Sequence, residues 1–274
     1  MQITGNGVIS NFFCNSNNHL VRMLYSYDGQ DKVFKACDAV FQLITLVSLE
    51  LNASQPTMAN IGTAHNLVIS TRDLTSLLTI FRGVIPSTIV QGRKVIKITK
   101  SFSSNVNQDS NSPVGAVEKI LKIAEGVFSI IGNLAVIFGF GISRPIGCID
   151  KYLDVGLGEN PRKLGAVFPS IMAVNNMTSF LKNSCELAYE IKSYKRQYAV
   201  KMLNNQSKET PYLQEKLYSN LFILILSLVD KVLEIIKDIF MFTKSSMPAG
   251  VKVLINISIA TLGLITAWKK VANG

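Results

Sequence analysis

Apolar residues recur along most of this chain at the three- and four-residue spacing of a helix, not at the alternation of a strand. From Asp31 to Leu51 the residues Phe34, Cys37, Phe41, Ile44, Val47 and Leu51 make one stripe, which predicts a helix with a single buried side. Asn52 to Pro56 interrupts it. A second helix is expected from about Thr57 to Phe81, with Met58, Ile61, His65, Val68, Leu74, Leu77 and Phe81 on one side, and Pro86 should break or kink it. A third, roughly Ser87 to Phe102, gathers Arg93, Lys97 and Lys100 on one face and carries Ile89, Val95 and Ile96 largely elsewhere.

The second half is more apolar. A helix is expected from Val114 to about Ile142, and its later part, Gly126 to Ser143, reads GVFSIIGNLAVIFGFGIS. Those eighteen residues hold no charge and end at Arg144-Pro145. As a helix they rise about 27 Å, close to the roughly 30 Å hydrocarbon core of a bilayer. Arg144 to Lys163, rich in Gly and Pro, reads as a loop with a short helix near Ile149 to Val155. Leu164 to Leu181 is also uncharged but contains Pro169, Asn175, Asn176, Thr178 and Ser179, a poorer span. Glu186 to Lys216 is strongly charged and helical up to a turn near Thr210 and Pro211. Leu217 to Val229 is apolar and continues as an amphipathic helix through Ile239. Val253 to Trp268 is uncharged between Lys252 and Lys269, with Trp268 placed as an interfacial anchor or as the end of a core helix.

No strand-and-hairpin rhythm and no alternation of strands with helices is present, so the expected class is all-α: a multi-helix bundle with one strong and one or two weaker membrane-compatible helices. Four regions follow: a polar leader (1–30), an N-terminal helical region (31–102), a linker (103–113, SSNVNQDSNSP) and a C-terminal membrane-associated region (114–274).

Composition agrees with this picture. Mean hydropathy is +0.28 and only 17% of residues are charged, below the usual quarter. The net charge of +10 favours anionic lipid or an acidic partner; nucleic acid is not expected, because no binding motif or aromatic stacking set accompanies the charge. Met1 to Leu20 has no charged residue, which suits a type III secretion leader or a plain terminus, and lacks the basic and apolar regions of a secretory signal. Cys14, Cys37, Cys148 and Cys185 have no metal-ligand spacing and read as free thiols.

Catalytic patterns are missing. Gly139 and Gly141 begin a G-x-G, but Arg144 stands where the third glycine belongs. Small-xxx-small pairs at Ala135/Gly139 and Gly263/Ala267 suit close helix packing. His65 lies on an apolar stripe, where a hydrogen-bonded core histidine is the commoner case. Asn133, in the middle of the apolar run, should face a helix or a cavity rather than lipid. No cofactor, metal site or enzymatic activity is expected.

The order of segments resembles the chlamydial class-I-accessible protein family of type III secreted inclusion-membrane proteins. The resemblance is carried by FFCNSNNHLVRML (Phe12 to Leu24), DGQDKVFKACDAV (Asp28 to Val40), RDLTSLLTIFRGVIPSTIVQ (Arg72 to Gln91), VFSIIGNLAVIFGFGISRPIGCIDKYL (Val127 to Leu153) and FPSIMAVNNMTSF (Phe168 to Phe180). It implies a non-enzymatic effector in a host-derived vacuole membrane, partly exposed to host cytosol, and transfers no catalytic residue. The chain departs from the two tightly joined hydrophobic lobes common among such proteins, since about twenty residues separate Ser143 from Leu164.

The expected function is therefore a membrane-inserted scaffold or host-interaction protein, against two alternatives: a membrane-shaping protein using basic amphipathic helices, and a soluble helical binding module. Helices near 114–142 and 253–268 should contact or cross the bilayer, while 31–100 and 182–216 face water. Expected anchors are Val127, Ile131, Val136, Phe138, Phe140 and Trp268; expected contacts to anionic lipid are Arg93, Lys97 and Lys100. The expected partners are membrane lipid and a host protein, with a homo-oligomer left open.

Overall fold

A computed structural model of the chain describes residues 21–23, 26–104, 115–146, 159–203, 210–243 and 246–273. Among the described residues the fold is helical and holds no strand. The polar leader to residue 20, the linker from 105 and the short helix expected at Ile149 to Val155 lie outside the described residues.

Helix α1 is Tyr27–Glu50. Ser26 caps it: its Oγ accepts the Gly29 amide at 3.0 Å, satisfying one orphan donor of the first turn. Asn52 closes it in a left-handed conformation (φ 52°). The Ala53 amide reaches the Ser48 carbonyl (2.9 Å) and the Asn52 amide the Leu49 carbonyl (3.1 Å), so two orphan acceptors are satisfied as the chain turns away. Helix α2 (Gln55–Thr79) runs through a π-helical segment, Ile80–Val84, into α3 (Ile85–Ser104). Helix α4 (Ala116–Phe138) likewise passes through a π segment, Gly139–Ser143, before Arg144. Then come α5 (Glu159–Ala166), α6 (Phe168–Leu203), α7 (Thr210–Phe242) and α8 (Ala249–Asn273).

Each π segment stands immediately ahead of a residue–proline pair, Ile85-Pro86 and Arg144-Pro145. Proline brings no amide hydrogen and its ring crowds the carbonyl four residues back. The wider turn relieves this: the Ile85 amide bonds the Ile80 carbonyl and the Arg144 amide the Gly139 carbonyl, five residues back. The break or kink expected at Pro86 is thus a continuous helix with one surplus residue. The expected Arg144–Lys163 loop is helical at 144–146 and again from Glu159. Thr210 and Pro211, expected at a turn, form the first turn of α7, where proline's missing donor costs nothing.

The chain divides into two compact units, residues 1–76 with 240–274, and residues 77–239. In the first, α8 packs along α1. Ala39, Val253, Ile259, Ala260 and Ala267 are buried. Gly263 makes room for the stem of Lys32: a Cβ built there stands 2.6 Å from Lys32 Cδ. A polar line joins three helices. His65 Nε2 lies 2.6 Å from Asp38 Oδ1, Gln42 Nε2 donates to the same oxygen at 3.0 Å, and Asn256 Nδ2 donates to Gln42 Oε1 at 2.5 Å. His65 also stacks on Phe41, so it is a hydrogen-bonded, half-buried histidine. Arg72 Nε donates to Asp31 Oδ1 at 3.0 Å. Partial burial pushes the Asp31 carboxyl up, but Lys35, Arg72 and Lys32 pull harder and hold it down at about 2.

In the second unit α4 is the central element. Gly126 meets Val95 of α3, with no space for a Cβ between them. Gly132 faces Thr178 and Asn175 of α6, and Gly139 faces Met172, Ile171 and Phe168. Ser143, almost fully buried, donates from Oγ to the Leu164 carbonyl at 2.7 Å. At its N-terminal end α4 is tied to α6 by ions: Arg196 pairs with buried Glu118 at 3.1 Å, and Lys122 pairs with Glu125 and sits 4.0 Å above the Tyr189 ring. The two π segments also meet, with Ile80 Cδ1 3.7 Å from where a Gly141 Cβ would lie.

Candidate membrane interface

The burial pattern runs opposite to that of a water-soluble bundle. In water, large apolar side chains go inside and polar ones stay out, since full burial of each large apolar chain is worth about 1.5–3 kcal/mol. Here the buried set is rich in small and polar residues, among them Ala39, Ala135, Ala260, Ala267, Ser143, Asn176, Thr178, Ser193, Asp230, Glu234, Asn256 and Thr266. Leu, Ile, Val, Phe and Met crowd the outside.

Helix α4 displays this most clearly. Val127, Ile131, Leu134, Phe138 and Ile142 are exposed and follow one another at spacings of three or four, so they form one outward stripe. Phe138 is 54% exposed. Buried Gly132, Ala135, Gly139 and Ser143 lie together on one side next to it, and buried Gly126 lies on the other flank. Small residues let backbones approach, which is how helices associate where the solvent is itself hydrocarbon and apolar burial gives no drive. The Ala135/Gly139 pair seen in the sequence belongs to this side. Asn133 is half-buried and off the stripe.

The expected anchors divide. Val127, Ile131 and Phe138 lie on the stripe. Val136 and Phe140 are half-buried and turned off it, and Phe140 meets Phe168 edge-on at 5.2 Å. Leu134 and Ile142, which complete the stripe, were not among the expected anchors; a charge-free run carries no phase of its own, but stepping by three and four from Val127 finds both. Trp268 is exposed on α8, in the first unit, near exposed Lys269 and Lys270. Exposed Leu254 and Ile265 lie on the same helix, opposite buried Asn256, Gly263 and Thr266. Arg93, Lys97 and Lys100 are exposed on one face of α3, flanked by exposed Ile89 and Ile96, while Val95 on the far side packs on Gly126.

Four helical stretches are long and apolar enough to cross a membrane: Gln55–Ser101, Ala116–Ile146, Arg162–Leu203 and Ala249–Ala272. The most apolar eighteen-residue window of the four lies within Ala116–Ile146 (mean hydropathy 1.9), the stretch that holds the charge-free run Gly126 to Ser143. Gln55–Ser101 was expected to face water; continuity through the π segment joins two helices into a stretch that qualifies despite Arg72, Asp73 and Arg82. Arg162–Leu203 qualifies too, and includes part of the 182–216 region expected in water. Together these features are compatible with association with a membrane.

Among the described residues no group of three or more His, Cys, Asp or Glu is placed to hold a metal ion, and Cys37 and Cys185 are free thiols. Compared with family models, with curated proteins and with solved structures, the chain matches none.

Proposed function

We propose that this chain is a non-enzymatic effector built into the membrane of a vacuole that encloses an intracellular bacterium, where it works as a scaffold or host-interaction protein. One observation carries the membrane part: the outward apolar stripe of α4, from Val127 to Ile142, flanked by buried glycine, alanine and serine. A soluble binding module would need the reverse arrangement on that helix. The exposed basic face of Arg93, Lys97 and Lys100 suits anionic headgroups. The secretion and host-vacuole part is supported by the resemblance of segment order to the class-I-accessible family.

The test is extraction of membranes from cells making the full chain, followed by protease treatment of intact vacuoles carrying a tag at each terminus. Retention in the pellet through alkaline carbonate, with at least one tag digested from the cytosolic side, is the expected result. Complete release into the supernatant overturns membrane insertion. Retention in the bacterial envelope instead of the vacuole overturns the effector reading.

A further inference from the structure

Hydropathy selects four helical stretches, and α7 is not among them. The reason is its charge: Asp230, Lys231, Glu234, Lys237 and Asp238 fall in its C-terminal half. The uncharged run before them, Leu217 to Val229, rises only about 20 Å, too short to span alone.

The faces of α7 tell a different story. Tyr218, Phe222, Ile225, Val229, Val232 and Ile239 are all exposed, at spacings of three, four and seven, so one apolar stripe runs the length of the helix. From Tyr218 to Ile239 that stripe rises about 32 Å, which matches the roughly 30 Å hydrocarbon core. The charges are turned away from it. Asp230 and Glu234 are buried, and Lys231 lies between them, 2.5 Å from Glu234 and 3.7 Å from Asp230. Inward charges that neutralise one another are how a membrane-embedded helix tolerates ionisable residues.

Helix α7 is also fastened to a stretch that hydropathy does select. Asn176 Nδ2 donates to Asp238 Oδ2 at 2.9 Å, and Asn220 Nδ2 approaches Glu190 Oε2 at 3.4 Å. The two links join the start of α7 to the later part of α6 and the end of α7 to its earlier part, so the two helices run in opposite directions. Asn176 and Glu190 both fall within Arg162–Leu203. Whatever layer of the bilayer α6 crosses between those residues, α7 crosses with it.

We infer that α7 is a further membrane-embedded helix, with its Tyr218–Ile239 stripe against lipid acyl chains and its charged side turned inward, linked to α6 through Asp238 and Asn220. The inference rests on the membrane reading above. It specifies acyl chains as the occupant of the stripe; water and a second copy of the chain are the competing occupants.

Tryptophan scanning of the full chain in bilayers tests it. The protein has one tryptophan, so Trp268→Phe gives a silent background. Into it go Phe222→Trp, Ile225→Trp, Val229→Trp and Val232→Trp, one at a time, with Phe138→Trp on α4 as reference. Each protein is reconstituted in vesicles of phosphatidylcholine with phosphatidylserine, with and without bromine on the acyl chains. The expected result is severalfold quenching by bromolipid at the α7 positions, comparable with Phe138→Trp, and little quenching by aqueous iodide. Iodide quenching on α7 with bromolipid quenching at Phe138→Trp overturns the inference and leaves the membrane reading standing. Neither quench on α7, with chemical crosslinking between copies, overturns it in favour of a self-association face. Absence of bromolipid quenching at Phe138→Trp as well overturns the membrane reading itself. Four positions keep the test valid if one substitution prevents folding.

Discussion

In the unit of residues 1–76 and 240–274, α1 and α8 meet through Ala39, Val253, Ile259, Ala260 and Ala267, and the interior polar groups form a line of neutral amides ending on the His65–Asp38 pair. The unit of residues 77–239 is centred on α4, where glycine meets a side chain on either flank, Gly126 on Val95 and Gly132 on Thr178, and a buried ion pair, Arg196 on Glu118, crosses between helices. The first interior owes part of its cohesion to apolar area. The second relies more on the close approach that glycine permits and on a buried paired charge. In lipid that is the workable solution, because hydrocarbon competes for every apolar surface.

Breaking the charge pairing should hurt most. Arg196→Met removes the partner of Glu118, whose side chain is 7% exposed. Loss of one partner of a buried ion pair costs about 3–5 kcal/mol, and the lower end, about 3, applies because Arg196 is itself about a third exposed. Thermal unfolding in detergent, followed by helical circular dichroism, should show the drop; Glu118→Gln in the same chain should recover much of it. An unchanged midpoint for Arg196→Met would mean that this end of the unit is held by shape alone.

Filling the glycine contact comes next. Gly126→Leu forces α3 off α4 and should cost about 2 kcal/mol, within the range for overpacking, with partial rescue by Val95→Ala. The double variant measured beside both singles gives the coupling. Additive losses would mean that the two helices do not meet at this point.

The smallest effect belongs to the first unit and appears only in acid. The Asp31 carboxyl lies at about 2 against an ordinary 3.8, so the unfolded chain binds its proton first as pH falls. Its stabilising contribution is therefore whole above about 4 and fades as pH drops through about 2. Asp31→Asn should flatten that part of the stability–pH curve and leave neutral pH nearly unchanged. A curve with the same acid slope in both proteins would assign the slope to other carboxylates.

The sequence was legible where spacing and breakers act locally. Asp31 to Leu51 against Tyr27–Glu50, Thr57 to Phe81 against Gln55–Thr79, and Ser87 to Phe102 against Ile85–Ser104 differ by a few residues, because stripes and Gly or Pro punctuation define both ends. Proline was harder to read. Pro86 and Pro145 look like stops in one dimension, and a π segment is available only once the helix has a neighbour to hold it. The interface was half legible. Val127, Ile131 and Phe138 follow from hydropathy, whereas Val136 and Phe140 miss the stripe because composition does not say which way a uniformly apolar helix faces. Helix α7 is the reverse case: its periodicity was visible from Leu217 to Ile239, but amphipathicity alone does not say whether the charged side looks out or in. Asn176 on Asp238 and Asn220 on Glu190 answer that, and both are contacts across the fold.

The paired π segments have a consequence for the length of the chain. Fifteen residues separate Ile80 from Val95, and fifteen separate Gly126 from Gly141, and these four residues are the matched contacts of two antiparallel helices. A helix turns about 100° with each residue, so one residue lost from either segment rotates everything beyond it by that angle. Both helices carry their surplus residue at the same level, and so remain in phase above and below it. A deletion in Ile80–Val84 alone throws the contacts out of step; the compensating change is a deletion in Gly139–Ser143, a repair that no single substitution can imitate.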